Sequence, residues 1–224
     1  MKTLYLHVGT PKTATSSIQT FLTMNSDKLM KYNYAYPETL EVVDYISPHR
    51  NGHFLIMPIR KEDGTRDIEA QDEKVYAGMA RVHELFKQVD NIILSDESLW
   101  RVTSYSRTRV LPMLQEMAKE HGYQIKVIVY LRRQDQFLSS RWNQNVKSSV
   151  GEVRPLGEHL KVVYKTQKMV VNYASKLDQL AELFGKENII VRRFNPATWV
   201  NNSIIHDFMH YIGLDIGYRE DFII

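Results

Sequence analysis

Lys12 follows a proline and precedes five residues, four of them hydroxylated, in the run Pro11-Lys12-Thr13-Ala14-Thr15-Ser16-Ser17. The apolar segment Leu4 to Val8 and then Gly9 come directly before it. This order predicts a strand that stops at Gly9 and opens through Pro11-Lys12 into a helix start. A helix start offers unpaired backbone N–H groups and the positive end of the helix dipole. With the Lys12 ammonium and the hydroxyls of Thr13, Thr15, Ser16 and Ser17 beside them, these groups converge on one point. The chemistry of such a point is oxyanion binding, phosphate above all.

A nucleotide-hydrolase P-loop, Gly-x-x-x-x-Gly-Lys-Ser/Thr, needs glycines where this chain has Leu6 and Pro11. The segment resembles instead the 5′-phosphosulfate loop of sulfotransferases that use 3′-phosphoadenosine 5′-phosphosulfate (PAPS). That loop reads Pro-Lys-Ser/Thr-Gly-Thr-Thr/Ser and stands here as Pro11-Lys12-Thr13-Ala14-Thr15-Ser16. Ala14 occupies the family's glycine position, where a helical φ/ψ would let its Cβ avoid a clash. A second stretch resembles the family's 3′-phosphate motif, an arginine at a strand end and a serine eight positions on, which Arg132 and Ser140 match. The usual Arg-Asn-Pro-x-Asp has become Arg132-Arg133-Gln134-Asp135, one residue shorter, so Arg133 and Ser139 compete for the same roles.

The resemblance implies a P-loop-like α/β fold in three layers, a central parallel sheet with helices on both faces. It implies sulfuryl transfer from PAPS, leaving PAP, to a hydroxyl or amine of a carbohydrate or other small acceptor, with no metal required. Pro11, Lys12, Thr13, Ala14, Thr15, Ser16, Ser17, Arg132 and Ser140 would then hold the nucleotide. Lys12 would stabilise the leaving phosphate oxygen, an interaction that strengthens as charge develops and is therefore catalytic.

An acceptor hydroxyl also needs a base. Glu97, in Ser95-Asp96-Glu97-Ser98 after the predicted third strand, is the first choice; His53, in Ser47-Pro48-His49-Arg50-Asn51-Gly52-His53, is the rival, histidine being the usual side chain for proton transfer near neutral pH. His7 alternates within the first strand and reads as buried scaffold. His206 and His210 lie one helical turn apart but lack carboxylate or cysteine company with metal spacing, so no metal site is expected. Trp142, Asn143, Gln144, Tyr164, Lys165 and Tyr173 are further candidate acceptor contacts.

Short apolar strands alternate with amphipathic helical stretches, the pattern of a parallel sheet covered on both faces. Strands are predicted at Leu4 to Val8, Tyr34 to Tyr36, Ile92 to Leu94, Ile125 to Leu131 and Ile189 to Val191. Helices are predicted from about Thr15 to Asn25, over Val75 to Val89, from about Arg107 to His121, over Phe137 to Trp142, from Val170 to Phe184 and near Ser203 to Ile212. Residues 38–72 read as a loop-rich insertion in a single domain spanning 1–224, and residues 148–167 as a polar connection. In open α/β sheets ligands sit beyond the carboxyl ends of the strands. The junctions at 9–17, 94–100 and 131–140 should therefore line one crevice.

The 224 residues are 43% hydrophobic and 25% charged with a net charge of +3, which suits one globular domain and gives little reason to expect nucleic acid as a partner. No cysteine is present, which excludes disulfides and thiolate metal sites. No apolar run has the length of a membrane span, and the first strand begins at residue 3, so a cytoplasmic protein is expected. Two other readings fit the first loop. A small-metabolite kinase would take Mg²⁺ on a loop hydroxyl and a strand-end acid such as Asp96; an inactive nucleotide-binding module would keep the cradle without the chemistry.

Overall fold

Residues Thr3–His7 form strand β1, and all five side chains are buried. A strand buried throughout needs cover on both faces. The computed structural model, which describes residues 1–38, 47–102, 109–148, 151–166, 171–216 and 222–223, supplies it. Strands at Tyr34–Ala35 (β2), Asn91–Ser95 (β3), Gln124–Leu131 (β4) and Ile189–Arg193 (β5) complete a five-stranded sheet in the order β2-β3-β1-β4-β5. Every pairing is parallel, and His7 sits opposite Ser95 on one side and Ile128 on the other.

The helices follow at Thr15–Met24 (α1), Ser26–Lys31 (α2), Ile68–Leu85 (α3), Leu99–Val102 (α4), Val110–His121 (α5), Gln134–Lys147 (α6), Leu156–Thr166 (α7), Tyr173–Phe184 (α8) and Ile204–Tyr211 (α9). The two-residue period of β1 divides the core. Leu4, Leu6 and Val8 pack with Val75, Met79 and Val82 of α3, Leu114 of α5 and Leu180 of α8. Tyr5 faces the other way, toward Ile18, Phe21 and Leu22 of α1 and Phe208 and Met209 of α9. The fold is thus the α/β, three-layer arrangement with a parallel sheet that the strand and helix pattern predicts. Among the described residues, no helix is long and apolar enough to cross a membrane.

Helices α2 and α4 are not among the predicted elements, and others differ from expectation in extent or kind. The predicted polar connection at 148–167 contains α7; among its described side chains His159 and Val163 are buried, and the buried histidine interrupts the apolar stripe. Helix α3 begins at Ile68 rather than near Val75, inside the segment read as an insertion, because Asp67 caps it by accepting from the Ala70 N–H at 3.1 Å. The rest of that segment contributes a 3₁₀ turn at His53–Leu55 and a bridge between Arg60 and Arg66. Arg107 and Val170, predicted helix starts, lie outside the described residues.

Two buried charges brace the layers differently. Asp207 of α9, fully buried, accepts from Tyr130 Oη at 2.8 Å and from Arg192 Nε and Nη2 at 3.0 and 2.7 Å, so α9 is bound to β4 and β5 by a satisfied ion pair. Lys176 of α8 is 2% exposed and has no carboxylate partner among the described residues. Its Nζ donates to the Trp100 carbonyl at 2.6 Å and lies 4.8 Å from the Trp100 ring centroid. Burial lowers its pKa from 10.5 to about 8.

A lysine with a lowered folded-state pKa destabilises the fold below that pKa, and the cost fades as pH rises toward the unfolded value. Between about pH 8 and 10.5 the unfolded chain still holds this proton and the folded chain has released it. Wild-type stability measured relative to Lys176→Met by chemical denaturation is therefore expected to rise across that window. A pH-independent difference between the two proteins would contradict an uncompensated buried lysine.

Candidate functional site

The turn from β1 into α1 is tied down from below. Thr10 Oγ1 donates to the Tyr130 carbonyl of β4 at 2.7 Å, and Thr13 Oγ1 donates to the Thr10 carbonyl at 2.7 Å; both side chains are buried. The Thr13 hydroxyl therefore points into the turn, away from the helix end. Gly9 is needed by close approach, because a Cβ there would lie 2.5 Å from Thr15 Oγ1.

Above this base the groups are open. Ala14 is the N-cap of α1 with φ 56 and ψ 25, no side chain caps the helix, and its first turn contains no acid. The first N–H groups of α1 are thus left without side-chain partners. Ser16, Ser17 and Lys12 are exposed, Pro11 is half-buried, and Lys12 makes no ion pair among the described residues. Thr15 Oγ1 is buried without a hydrogen-bond partner.

The backbone corrects one expectation. Ala14 is left-handed rather than helical, as is Lys12 with φ 68. Turning the chain from strand to helix within so few residues requires that region, which is why glycine suits position 14. An alanine there costs about 1–2 kcal/mol of local strain.

The Thr10 to Tyr130 bond brings this loop beside the end of β4, two residues before Arg132. Arg132 Nε is buried and unpartnered, and its guanidinium carbon lies 5.6 Å from the Phe194 ring centroid. Arg132, Ser139, Ser140 and Asn143 line a cavity of about 360 Å³. Arg133 faces outward, where it is paired with Asp135 at 3.0 Å and largely exposed. Ser139 Oγ donates back to the Asp135 carbonyl at 2.9 Å, whereas Ser140 has no such bond among the described residues. Of the competing pairs, Arg132 and Ser140 have the uncommitted groups. A neighbouring cavity of about 640 Å³ is lined by Arg132, Gln134, Tyr173, Arg193 and Phe194, and Tyr173 Oη is buried without a partner.

On the other side of β1, the backbone N–H of Asp96 donates to the His7 carbonyl at 3.2 Å, so the end of β3 is equally close. Here the sequence candidates separate. Glu97 is about one-third exposed and stands 3.6 Å from Arg50. His53 Nδ1 is 3.0 Å from Asp96 Oδ2, and Arg50 grips both Asp96 oxygens, at 3.0 Å from Nε and 2.6 Å from Nη2. Burial would raise the Asp96 carboxyl, but the hydrogen bonds from His53 and Arg50 and the Arg50 charge outweigh it and hold the group below its ordinary range. His7 is fully buried, and burial pushes it down to about 3, so it is neutral scaffold.

Sequence reasoning missed Asp96 as the centre of this cluster and Arg50 as its partner. The available signal was an acid directly after an apolar strand, preceded far upstream by an arginine and a histidine three residues apart. Of the proposed acceptor contacts, Tyr173 and Asn143 line the two cavities, while Trp142 Nε1 donates to the Arg154 carbonyl at 2.9 Å. The side chain of Tyr164 lies outside the described set.

No family model matches the chain. An uncharacterized protein of Archaeoglobus fulgidus is 31% identical over 97 residues, which is 43% of this chain and 24% of that protein. The chain thus matches only about a quarter of its curated relative's length. Among solved structures it is similar to a sulfotransferase from Alicyclobacillus acidocaldarius, with a TM-score of 0.54 and 17% identity over 96% of this chain and 82% of that one. The fold is sulfotransferase-like.

The strain at position 14 is measurable. Ala14→Gly removes about 1–2 kcal/mol of left-handed strain and adds about 0.5–1 kcal/mol of unfolded-chain entropy. The melting temperature is therefore expected to hold or to rise by up to a few degrees, against the usual direction of Ala→Gly. A clear fall in a thermal melt would mean that the turn does not need the left-handed conformation.

Proposed function

We propose that the protein transfers a sulfuryl group from PAPS to a hydroxyl or amine of a carbohydrate or other small acceptor and releases PAP. The observation that carries this reading is a pair of uncommitted anion-binding positions at the ends of adjacent strands. One is the uncapped start of α1 with Lys12, which makes no ion pair among the described residues; the other is Arg132, its buried Nε unpartnered, sharing a cavity with Ser140. A nucleotide phosphorylated at both its 5′ and 3′ carbons needs two such positions. The adjoining cavity, with the Phe194 and Tyr173 rings, suits an adenine between them.

In this reading α1 and Lys12 bind the 5′-phosphosulfate, and Arg132 and Ser140 hold the 3′-phosphate. PAPS supplies an activated sulfuryl group, so the protein's task is positioning and charge neutralisation. Lys12 faces the bridging oxygen, where the electron pair of the breaking S–O bond collects, and its attraction is greatest in the transition state. The kinase alternative is less well supported, because Asp96, its candidate Mg²⁺ ligand, has both oxygens engaged by Arg50, His53 and the Ser98 N–H.

Ligand preference tests the two-phosphate reading. PAP is expected to raise the melting temperature more than ADP or AMP does, and equal shifts would remove the case for a 3′-phosphate site. Arg132→Ala should weaken PAP about tenfold or more in calorimetry, the effect of losing a charge-assisted bond of roughly 1.5–3 kcal/mol, with AMP little changed. If Arg133→Ala behaves this way instead, the outward-facing arginine is the ligand.

Lys12 is expected to act mainly on turnover. Lys12→Ala at saturating PAPS should lose most of kcat with a smaller loss of PAP affinity. Near-normal kcat would sink the role of charge stabiliser.

A further inference from the structure

His53 is held by more than one bond. The Asn51 side chain bonds twice to β3, Nδ2 donating to the Ile93 carbonyl at 2.9 Å and Oδ1 accepting from the Ser95 N–H at 2.8 Å. The Gly52 N–H donates to the Ser95 carbonyl at 3.2 Å, and a Cβ on Gly52 would come within 3.2 Å of the Ser95 backbone. Phe54 and Leu55, next in the 3₁₀ turn, are buried in the core on the α3 side. The imidazole is therefore fixed beside the end of β3, one strand away from the loop that carries Lys12.

The carboxylate behind it is saturated. Asp96 Oδ1 accepts from Arg50 Nη2 at 2.6 Å and from the Ser98 N–H at 2.7 Å; Oδ2 accepts from Arg50 Nε and faces His53 Nδ1, both at 3.0 Å. An ionised carboxylate only accepts hydrogen bonds, so the proton of this contact resides on His53 Nδ1. The side chain is 13% exposed, and its contact with Asp96 is made through Nδ1, with no bond to Nε2 among the described residues. Arg50 also matters electrostatically. Its guanidinium offsets the charge of the buried Asp96 carboxylate, so the imidazole is not that carboxylate's sole partner. Glu97, at 3.6 Å from Arg50 Nη1, helps balance that guanidinium instead of standing alone as a base.

We propose that Asp96, neutralised by Arg50, is a positioning residue that fixes His53 as the Nδ1–H tautomer and presents Nε2 as the base for the acceptor. The proposal rests on the sulfuryl-transfer reading above. Nε2 takes the acceptor's proton while the acceptor oxygen forms its bond to sulfur. The S–O bond to the 5′-phosphate breaks, its electron pair leaves on PAP, and the proton remains on the imidazole. Glu97, the first choice from sequence, is then outside the chemistry.

Two measurements separate the parts. In long-range ¹H–¹⁵N spectra of the ligand-free protein, with His53 assigned by its loss in His53→Gln, the wild type is expected to show the Nδ1–H tautomer. Asp96→Asn should lose that preference. A wild-type Nε2–H tautomer or an imidazolium at neutral pH overturns the positioning claim whatever the protein binds. For turnover, PAP release from PAPS is followed with water or 2-naphthol as acceptor. His53→Gln and Asp96→Asn should each lower kcat by roughly 10²- to 10⁴-fold with PAP affinity kept, and the double variant should lose little more. Glu97→Gln should change kcat by less than about threefold. If Asp96→Asn does not fold, the wild-type tautomer and the contrast between His53→Gln and Glu97→Gln carry the test. Retained kcat in His53→Gln, with PAP still bound, overturns the base while leaving the sulfuryl-transfer reading intact. Failure of the wild type to bind PAP or consume PAPS overturns that reading and the base role with it.

Discussion

An uncapped helix start directly above a buried strand is the constraint around which the rest is arranged. The first N–H groups of α1 have no side-chain acceptor, so the turn leading to them must be stable for other reasons. Thr10 and Thr13 provide that stability with two buried hydrogen bonds, one to β4 and one within the turn. Gly9 lets Thr15 approach the strand end, and Ala14 accepts a left-handed backbone that most residues avoid. Strand order then places β3 and β4 on either side of β1, so the remaining polar groups converge on this one edge.

The two sides of that edge differ in electrostatic character. On the β4 side, Arg132 is a cation lacking an acid partner among the described residues, with a buried donor left open and an aromatic face against it. On the β3 side every charge is answered: Arg50 by Asp96 and Glu97, Asp96 by Arg50 and His53. An open cation suits a permanently charged ligand, because the ligand completes the pairing. A closed network suits proton transfer, because its residual charge is small and the donor and acceptor atoms are fixed in advance.

The sheet and the first loop were legible in the sequence because their determinants are local. Leu4 to Val8 and Ile125 to Leu131 are short apolar runs with sharp ends, and Pro11 to Ser17 is contiguous. The Arg132 and Ser140 spacing also lies within one strand-to-helix junction. The Asp96 cluster was not legible, since Arg50 and His53 reach Asp96 across 46 and 43 residues and no local pattern encodes that meeting. The left-handed φ at Ala14 was missed for a different reason. Alanine is a good helix former, and only the geometry of the turn overrides its preference. Helix α7 escaped because a histidine, His159, stands on its buried side and pairs with Glu152 at 2.7 Å in place of an apolar neighbour.

Strand β2 has only Tyr34 and Ala35, and it pairs with β3 no further than Ile92. Beyond that point the Asn51 amide bonds to β3 at Ile93 and Ser95 as a neighbouring strand would. The Asn51 side chain, with the Gly52 N–H bonded to the Ser95 carbonyl, thus stands in for a stretch of sheet. The outer edge of β3 beyond Ile92 is closed by these bonds rather than by a continuous strand among the described residues. Lengthening a segment anchored in this way costs only loop-closure entropy, about 0.6 kcal/mol per doubling. The β3 edge can therefore tolerate insertion while the strand register that fixes the β1 and β4 ends stays unaltered.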